Sequence, residues 1–334
     1  MTDGYENQVP EKLQGKFQAK VICCFLGIGG LASWNSLLTI ADYYYKVFPD
    51  YHPSRVLILV YQPFALVTIV TFAYHESKIN TRYRNLIGYI IFTISTLLLI
   101  VLDLTTRGRG GIGPYIGLCA IVASFGLADA TVQGGMIGDL SLMCPELIQS
   151  FMAGLGVAGA LTSAFRLMTK AAFENSNDGL RKGATLVYIL SLSIFPGFLY
   201  ENTGHHGLGS WYALVLVAMY NCGNLVGRYT PLVEWLKIEN RKGLTIATLS
   251  RFFLIPAFYS TAKYGDQGWM IMLVTFLGLT TGHLNVCILI TAPKGFKGPE
   301  KNALGNLLVV FLTGGIVAGT SLGWLWLIGK KNAF

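Results

Sequence analysis

The sequence contains few charged residues. Asp, Glu, Lys and Arg together make up 13% of its 334 residues, whereas 53% are hydrophobic and the mean hydropathy is +0.52. A soluble domain carries about twice that share of charge. Apolar runs of about 20 residues recur along the chain instead, and each is long enough to cross a bilayer core of roughly 30 Å. The composition therefore predicts an all-α polytopic membrane protein.

Several motifs of secreted proteins and enzymes are missing. The six cysteines form no CxxC pair, and no N-x-[ST] acceptor for glycosylation occurs, which argues against a disulfide framework, a zinc site and surface glycans. The chain also has no nucleophile–base pair, no metal-ligand spacing and no phosphate-binding glycine loop. The sequence therefore predicts no catalytic residue, no metal and no cofactor, and the protein is not expected to be an enzyme.

The net charge of +8 comes mostly from lysines and arginines in the short connections between apolar runs. Membrane topology favours such residues in cytoplasmic connections, so the expected partner is the lipid bilayer and not a nucleic acid. Counting Lys and Arg over the first connections favours a cytoplasmic N-terminus. Residues 1–19 are accordingly predicted to be a cytoplasmic tail, and the apolar run that follows is predicted to stay as an anchor.

Ten membrane spans are predicted from the apolar runs. Segments rich in proline or glycine separate them, such as "YHPSR" (51–55), "TTRGRGGIGP" (105–114) and "MCPE" (143–146). The first, fourth and last runs are long enough to be tilted or broken. The spans form an N-terminal bundle at 20–184 and a C-terminal bundle at 185–334. They lie at 20–48, 54–76, 85–105, 112–142, 147–170, 185–200, 210–232, 244–262, 268–291 and 303–329.

The basic residues give two conflicting orientations. Those of the first half favour a cytoplasmic N-terminus, whereas those of the second half place 233–243 and 294–302 inside and the C-terminus outside. Ten spans would put both termini on one side. The conflict falls at "FENSNDGLRKGATLVY" (173–188), as though one crossing were absent there. The four basic residues between 166 and 182 would then lie outside, against the same rule.

Two groups of polar residues lie at membrane depth in the first half, where such residues are costly and mark a pathway or binding site. Trp34 and Asn35 combine a flat aromatic face with paired donor and acceptor groups, which suits a planar heterocycle. The alternative is a packed tryptophan with an interhelical hydrogen bond. Asp129 and Gln133 are four residues apart and share a helix face, and Gly134 leaves room beside them for a ligand or a neighbour.

Two further groups lie in the second half. Asn221, Asn224 and Arg228 recur on one stripe of a helix, and Arg228 either faces a cavity or extends to the cytoplasmic interface. In "LGLTTGHLNV" (277–286), His283 is either a proton relay or a hydrogen-bonded structural histidine. Uncharged donors and acceptors spread over several spans suit a solute pathway better than covalent chemistry, a receptor or a channel.

Pairs of glycines four residues apart predict close approach of helix backbones, because packing has to drive helix association in lipid. These pairs are Gly134 with Gly138, Gly223 with Gly227, and Gly315 with Gly319.

Four segments occur in this order along the chain: "SWNSLLTIADYYYKVFPDYHPSRV", "VQGGMIGDLSLMCPE", "YNCGNLVGRYTPL" and "GHLNVCILITAPKGFKGPEKNALGNLL". Together they are similar to the equilibrative nucleoside transporters, above all to their plant members, and the resemblance covers nearly the whole chain. It implies a helical bundle related to the major facilitator type, with eleven spans arranged as six plus five, which moves nucleosides and nucleobases by alternating access.

The resemblance assigns roles to several residues by position. Trp34 corresponds to a tryptophan that lines the substrate cavity, and Tyr61 and Phe64 occupy places that pack near the base. Gln133 corresponds to the glutamine that hydrogen-bonds the nucleobase. Ile316 falls near a cavity-lining residue of the last span.

The chain departs from the family pattern at two places. An acidic residue and an arginine of the family's eighth span contact the ribose hydroxyls; Arg228 matches the arginine, but Asn224 stands at the acidic position and lacks its charge. Family members also have a sixth span and a long cytoplasmic loop, whereas this chain joins the flanking segments directly at Ala184–Thr185. The resemblance therefore predicts about ten spans where the family has eleven.

The sequence as a whole predicts a nucleoside transporter of the plasma membrane, with an internal membrane as the alternative location. Transport is expected to be facilitative or proton-coupled, and Asp129 and His283 are the candidate proton-linked residues. Asn35 and Asn221 are expected to line the cavity with the residues assigned above. The rival hypothesis is a transport-deficient truncated paralogue or splice form, and a proton-coupled sugar or amine carrier comes third.

Overall fold

The computed structural model describes residues 15–76, 79–173, 211–264, 267–296 and 299–325, and within these ranges the regular structure is helical. Short 3-10 turns connect some of the α-helices. The helices are α1 (Lys16–Thr39), α2 (Ala41–Val47), α3 (Pro53–Tyr74), α4 (Thr81–Thr106), α5 (Ile112–Leu142), α6 (Pro145–Phe173), α7 (Tyr212–Tyr229), α8 (Arg241–Ser250), α9 (Leu254–Tyr264), α10 (Gln267–Thr291) and α11 (Pro299–Leu325).

The helices confirm the predicted class of an all-α polytopic membrane protein. Among the described residues, 7 helices are long and apolar enough to cross a membrane, namely α1, α3, α4, α5, α6, α10 and α11. Helix α7 has 18 residues, which at 1.5 Å per residue give about 27 Å. The predicted span 185–200 and the junction at Ala184–Thr185 lie outside the described residues, so the total of ten spans stays a prediction.

The predicted helix starts follow the proline signals. Helix α3 begins at Pro53 and α6 begins at Pro145, because proline lacks the N–H that a first-turn residue does not need. Helix α4 begins after Asn80, whose side chain accepts a hydrogen bond from the Arg82 N–H at 3.0 Å. This cap satisfies one of the free N–H groups of the first turn. Helix α1 begins at Lys16, slightly before the predicted start of the first span.

Two predicted spans are interrupted. The first is divided at Ile40 between α1 and α2, as the length of its apolar run had suggested. The span predicted at 244–262 is not one continuous helix: α8 ends at Ser250, a 3-10 turn covers Arg251–Phe253, and α9 begins at Leu254. Pro256 explains the break, because it cannot donate to the carbonyl four residues earlier and its ring clashes with the preceding turn.

Helix α4 presents a wide apolar face to the outside of the molecule. Large side chains on this face are about half exposed, at 48–65% of their full accessible area, and no polar layer covers them within the described residues. Such a face is unfavourable in water and is typical of contact with lipid. Its members are Tyr83, Leu86, Ile87, Ile90, Ile94, Leu97, Leu98, Val101 and Leu104.

Glycines bring several helices into backbone contact. A Cβ added to Gly27 of α1 would lie 3.0 Å from the Leu155 nitrogen of α6, and one added to Gly227 of α7 would lie 3.0 Å from the His283 nitrogen of α10. The predicted packing role is therefore confirmed for Gly227. For Gly315 an added Cβ would meet nothing within 4 Å among the described residues, so its packing role stays a prediction.

Among the described helices, the two halves of the chain meet along two seams. At one seam α6 packs against α7, and at the other α11 packs against α3 and α5. The second seam is polar: the Ser141 hydroxyl donates to the Lys301 carbonyl at 2.8 Å, and the Arg84 Nη1 donates to Asn306 Oδ1 at 3.1 Å. A carrier that opens alternately to each side has to open and close such seams.

Candidate functional site

Helices α1, α3 and α5 bring together residues that are far apart in the sequence. The Trp34 ring of α1 stacks on the Tyr61 ring of α3, with centroids 3.8 Å apart and an interplanar angle of 15°. Both side chains are buried. The Tyr61 hydroxyl hydrogen-bonds the Asp129 carboxylate of α5. The aromatic pair and the acidic residue therefore form one contiguous group, and one face of Trp34 is taken by Tyr61.

Asp129 also holds the predicted base-binding residue. The Gln133 Nε2 donates to Asp129 Oδ1 at 2.6 Å, one turn along α5, which confirms that the two share a helix face. This contact orients the amide, so that its carbonyl oxygen remains able to accept a hydrogen bond from a ligand. Gly126 allows the arrangement, because a Cβ there would lie 3.2 Å from the Ala65 nitrogen and push α3 away.

The other residues predicted to line the cavity differ in how far they are buried. Asn35 is buried at 2% exposure beside Trp34, whereas Phe64 of α3 is 46% exposed. Gly134 makes room for a neighbour and not for a ligand: a Cβ there would lie 3.1 Å from Asn306 Oδ1. Ile316 of α11 is 38% exposed. The cavity-lining roles of Asn35, Phe64 and Ile316 stay predictions.

Helix α7 carries the polar stripe of the second half and turns it towards α6. Arg228 is only 8% exposed, so the hypothesis that it extends to the interface is wrong. Its Nε donates to Asn224 Oδ1 at 3.0 Å, and its Nη1 donates to the Met152 carbonyl of α6. Gly156 creates the space, because a Cβ there would lie 2.9 Å from the Arg228 Cδ. Both acceptors are neutral, so a buried guanidinium charge faces the seam between the halves.

The remaining asparagine of the stripe also reaches α6. Asn221 is buried, and its Nδ2 lies 2.8 Å from the Val217 carbonyl and 3.4 Å from the Ser163 hydroxyl. Polar groups of α6 and α7 therefore face one another over several turns of the seam. Only the folded structure shows this pairing, because no periodicity in α7 indicates which helix it contacts.

His283 lies in the C-terminal half, apart from these groups in the chain. Its Nδ1 is 2.7 Å from the Thr230 hydroxyl and its Nε2 is 3.7 Å from the Cys287 sulfur. It borders a cavity of about 370 Å³ between α8, α9 and α10, which Arg251 also lines. These contacts are those of a hydrogen-bonded structural histidine, and a proton-linked role for His283 stays a prediction.

Sequence analysis missed three buried cations, because it counted them among the charges that set topology, although two of them lie inside the predicted span 147–170. Arg84 donates from Nε to the Thr131 carbonyl at 3.0 Å and from Nη2 to the Ala130 carbonyl at 3.3 Å. Arg166 and Lys170 of α6 are 1% and 7% exposed. Neither of these two is a connection charge, so only two of the four basic residues between 166 and 182 oppose the positive-inside rule. The described residues contain no cluster of His, Cys, Asp and Glu that could hold a metal.

Comparisons with known proteins agree with this arrangement. A family model described as "Nucleoside transporter" matches residues 183–328. The chain is 65% identical to equilibrative nucleotide transporter 3 of Arabidopsis thaliana and 62% identical to equilibrative nucleotide transporter 6, and each alignment covers 100% of both chains. Equilibrative nucleotide transporter 1 of the same plant is 28% identical over 93% of this chain and 86% of its own length.

The alignment with transporter 3 also measures the departure in length. The alignment has 418 positions whereas this chain has 334 residues. The relative therefore has 84 positions without a counterpart in this chain. Because the alignment reaches both ends of both chains, these positions are internal, as the resemblance predicted. Identity above 60% over the full length is decisive for membership, and the chain belongs to the equilibrative nucleoside transporter family, among its plant members.

Proposed function

We propose that the protein carries nucleosides, and with them nucleobases, across a membrane by alternating access and without covalent chemistry. The observation that carries this proposal is the group of Trp34, Tyr61, Asp129 and Gln133, where a stacked aromatic pair adjoins an oriented amide within membrane-spanning helices. A flat aromatic surface and a donor–acceptor amide are what a nucleobase requires for recognition. The names of the family model and of the Arabidopsis relatives support the same class of substrate.

Arg228 supplies the second contact of the proposed cavity. Its guanidinium donates to Asn224 and to the Met152 carbonyl, both neutral, so its charge is available to the hydroxyl groups of a sugar. We assign to Asn224 the role of one further acceptor, weaker than a carboxylate because it carries no charge. An Asn224→Asp variant would restore a charge-assisted pair four residues from Arg228.

The two seams provide the moving parts of the cycle. Transport requires that α11 separates from α3 and α5 on one side while α6 and α7 close on the other, and the reverse. The bonds from Arg84 to Asn306 and from Ser141 to the Lys301 carbonyl close the α11 seam in this structure. We place this transport in the plasma membrane and assign the coupling to protons to Asp129.

Uptake of labelled uridine, adenosine and uracil into transporter-null cells tests the proposal. The chain is expected to raise uptake of all three, and Gln133→Ala is expected to reduce it with the amount at the cell surface unchanged. Asn224→Asp should lower the KM for uridine more than that for uracil, which has no ribose. Asp129→Asn should abolish any difference in uptake between acidic and neutral external pH. Surface-expressed protein without uptake would overturn the proposal and favour the transport-deficient form.

A further inference from the structure

A buried ion pair joins α2 to α6 outside the group described above. The Arg166 Nη2 donates to Asp42 Oδ2, and the side chains are 1% and 25% exposed, respectively. By contrast, the pair of Lys16 and Glu146, which joins α1 to α6 near the other end, is 45% and 42% exposed. Surface pairs of that kind contribute little to stability, whereas burying a charged pair is costly unless its polar atoms are all satisfied.

The Asp42–Arg166 pair is not fully satisfied. The Arg166 Nε–H and the Asp42 Oδ1 are both shielded from water, and neither has a hydrogen-bond partner in the part of the chain that the structure describes. Two unsatisfied atoms in one ion pair are unusual, because a buried polar atom without a hydrogen bond has lost its contact with water and gained nothing in return. The pair therefore offers one donor and one acceptor that a bound molecule can use, and Asp42 is the side on which the pair reaches the surface.

The pair shares helix α6 with the Arg228 group of the proposed cavity. On α6, Arg166 is ten residues beyond Gly156, where Arg228 docks, which is about 15 Å at 1.5 Å per residue. Asp42 follows Trp34 by eight residues, or about 12 Å if the helix were unbroken. The pair is thus displaced from both groups in the same direction, towards the end of α1.

The polar atoms decide which chemical class can bind. A phosphate would satisfy the Arg166 Nε–H but would be repelled by Asp42, and an ammonium group would satisfy Asp42 but would be repelled by Arg166. A neutral group that both accepts and donates satisfies both. Adjacent hydroxyl groups of a sugar present such an acceptor and donor side by side, and each bond to a charged partner is stronger than one to a neutral partner.

We propose that Asp42 and Arg166 form a sugar subsite that binds the hydroxyl groups of ribose on the way to or from the cavity at Trp34. This assignment rests on the proposed function, since it names the part of a nucleoside that the pair contacts. The pair contributes to specificity for ribonucleosides over molecules without vicinal hydroxyls.

Uptake kinetics with two substrates test the subsite. The substrates are uridine and 2′,3′-dideoxyuridine, which lacks both hydroxyl groups. Arg166→Lys keeps the charge and the ion pair but removes Nε, and Asp42→Asn keeps the shape of the side chain but removes the charge. Each variant should raise the KM for uridine roughly tenfold, as expected for a hydrogen bond to a charged group, and should leave the KM for dideoxyuridine unchanged. Glu146→Gln, also an ion-pair residue of α6, is the matched control and should change neither KM.

The outcomes separate the subsite from its alternatives. An equal rise of KM for both substrates, or a loss of surface protein with both KM values unchanged, would show a structural ion pair and overturn the subsite. If Asp42→Asn does not reach the surface, Arg166→Lys decides the question alone, because it retains the charge that the fold needs. Failure of the wild-type chain to take up either substrate would refute the proposed function itself, a result distinct from normal uptake with unaltered selectivity.

Discussion

Replacing Gly282 with alanine should disturb the wall of the cavity from behind. In α10, a Cβ at Gly282 would lie 2.1 Å from the Asn224 carbonyl oxygen and 3.0 Å from the Arg228 nitrogen. Ordinary contacts of a Cβ begin at 3.4 Å, so α7 and α10 would have to separate by more than 1 Å. Both obstructing atoms belong to the backbone, so a side-chain rotation cannot relieve the clash.

The expected cost follows from the loss of backbone contact. Forcing an extra methyl group into a packed interface typically costs about 1–3 kcal/mol. The same movement displaces α7 relative to α6, so that Arg228 no longer aligns with the Met152 carbonyl. We therefore expect Gly282→Ala both to lower the Tm of the purified protein by several degrees and to raise the KM for nucleosides.

A thermal-stability assay on detergent-purified protein, together with uptake kinetics, measures both effects. Gly315→Ala is the matched control, since an added Cβ there meets nothing within 4 Å in the part of the chain that the structure describes, and it should change neither value. Gly282→Ala behaving like Gly315→Ala in both assays would refute the inference that α7 and α10 touch through their backbones.

Three further predictions concern the cavity and the connections. Trp34→Ala removes the ring on which a nucleobase would stack in the proposed cavity, a contact worth about 0.5–1.5 kcal/mol, and should raise the KM for uridine about two- to tenfold with surface expression unchanged. Arg228→Lys keeps the charge but cannot reproduce the planar fork, so KM should rise for uridine more than for uracil. The Lys237 and Lys294 ammonium groups hold the pKa of the exposed Glu239 carboxylate at about 2. A carboxylate whose pKa is lowered by folding stabilises the fold at every pH above its pKa in the unfolded chain. This contribution is lost as pH falls through the lower pKa of the folded state. The Tm difference between wild type and Glu239→Gln should therefore stay constant from neutral pH to about pH 4.5 and disappear towards pH 2; a difference that changes near neutral pH would contradict this assignment.

The sequence predicted most of the helices because hydropathy and punctuation act locally. Pro53 and Pro145 begin helices where expected, and the apolar side chains of α4 form a face on the outside of the molecule. Pro256 was the local signal that the prediction overlooked: it interrupts an apolar run whose composition alone suggests one continuous span. Charge counting and the resemblance both indicated that a crossing is missing near Ala184–Thr185. The positions of the relatives that have no counterpart in this chain agree with an internal loss.

The site was predictable only in part, because its contacts join distant helices. Spacing placed Asp129 and Gln133 on one face, and the structure confirms their contact. The stack of Trp34 on Tyr61 and the burial of Arg228 depend on glycines of other helices, which no periodicity within one helix reveals. Arg166 lies inside the predicted span 147–170 but was counted with the basic residues that follow it; only its depth in the fold showed a buried ion pair.

Alternating access through the seam between α5 and α11 is tested most directly by counterflow of labelled uridine in proteoliposomes. A Ser141→Cys/Gly305→Cys variant allows the seam to be cross-linked. A Cβ at Gly305 would lie 3.1 Å from the Ser141 Oγ, within reach of a disulfide between α5 and α11. We predict transient accumulation of label by the wild type and by the reduced variant. Oxidation should stop accumulation in the double variant alone, and reduction should restore it. Undiminished counterflow by the cross-linked protein, or none by the folded wild type, would contradict alternating access through this seam.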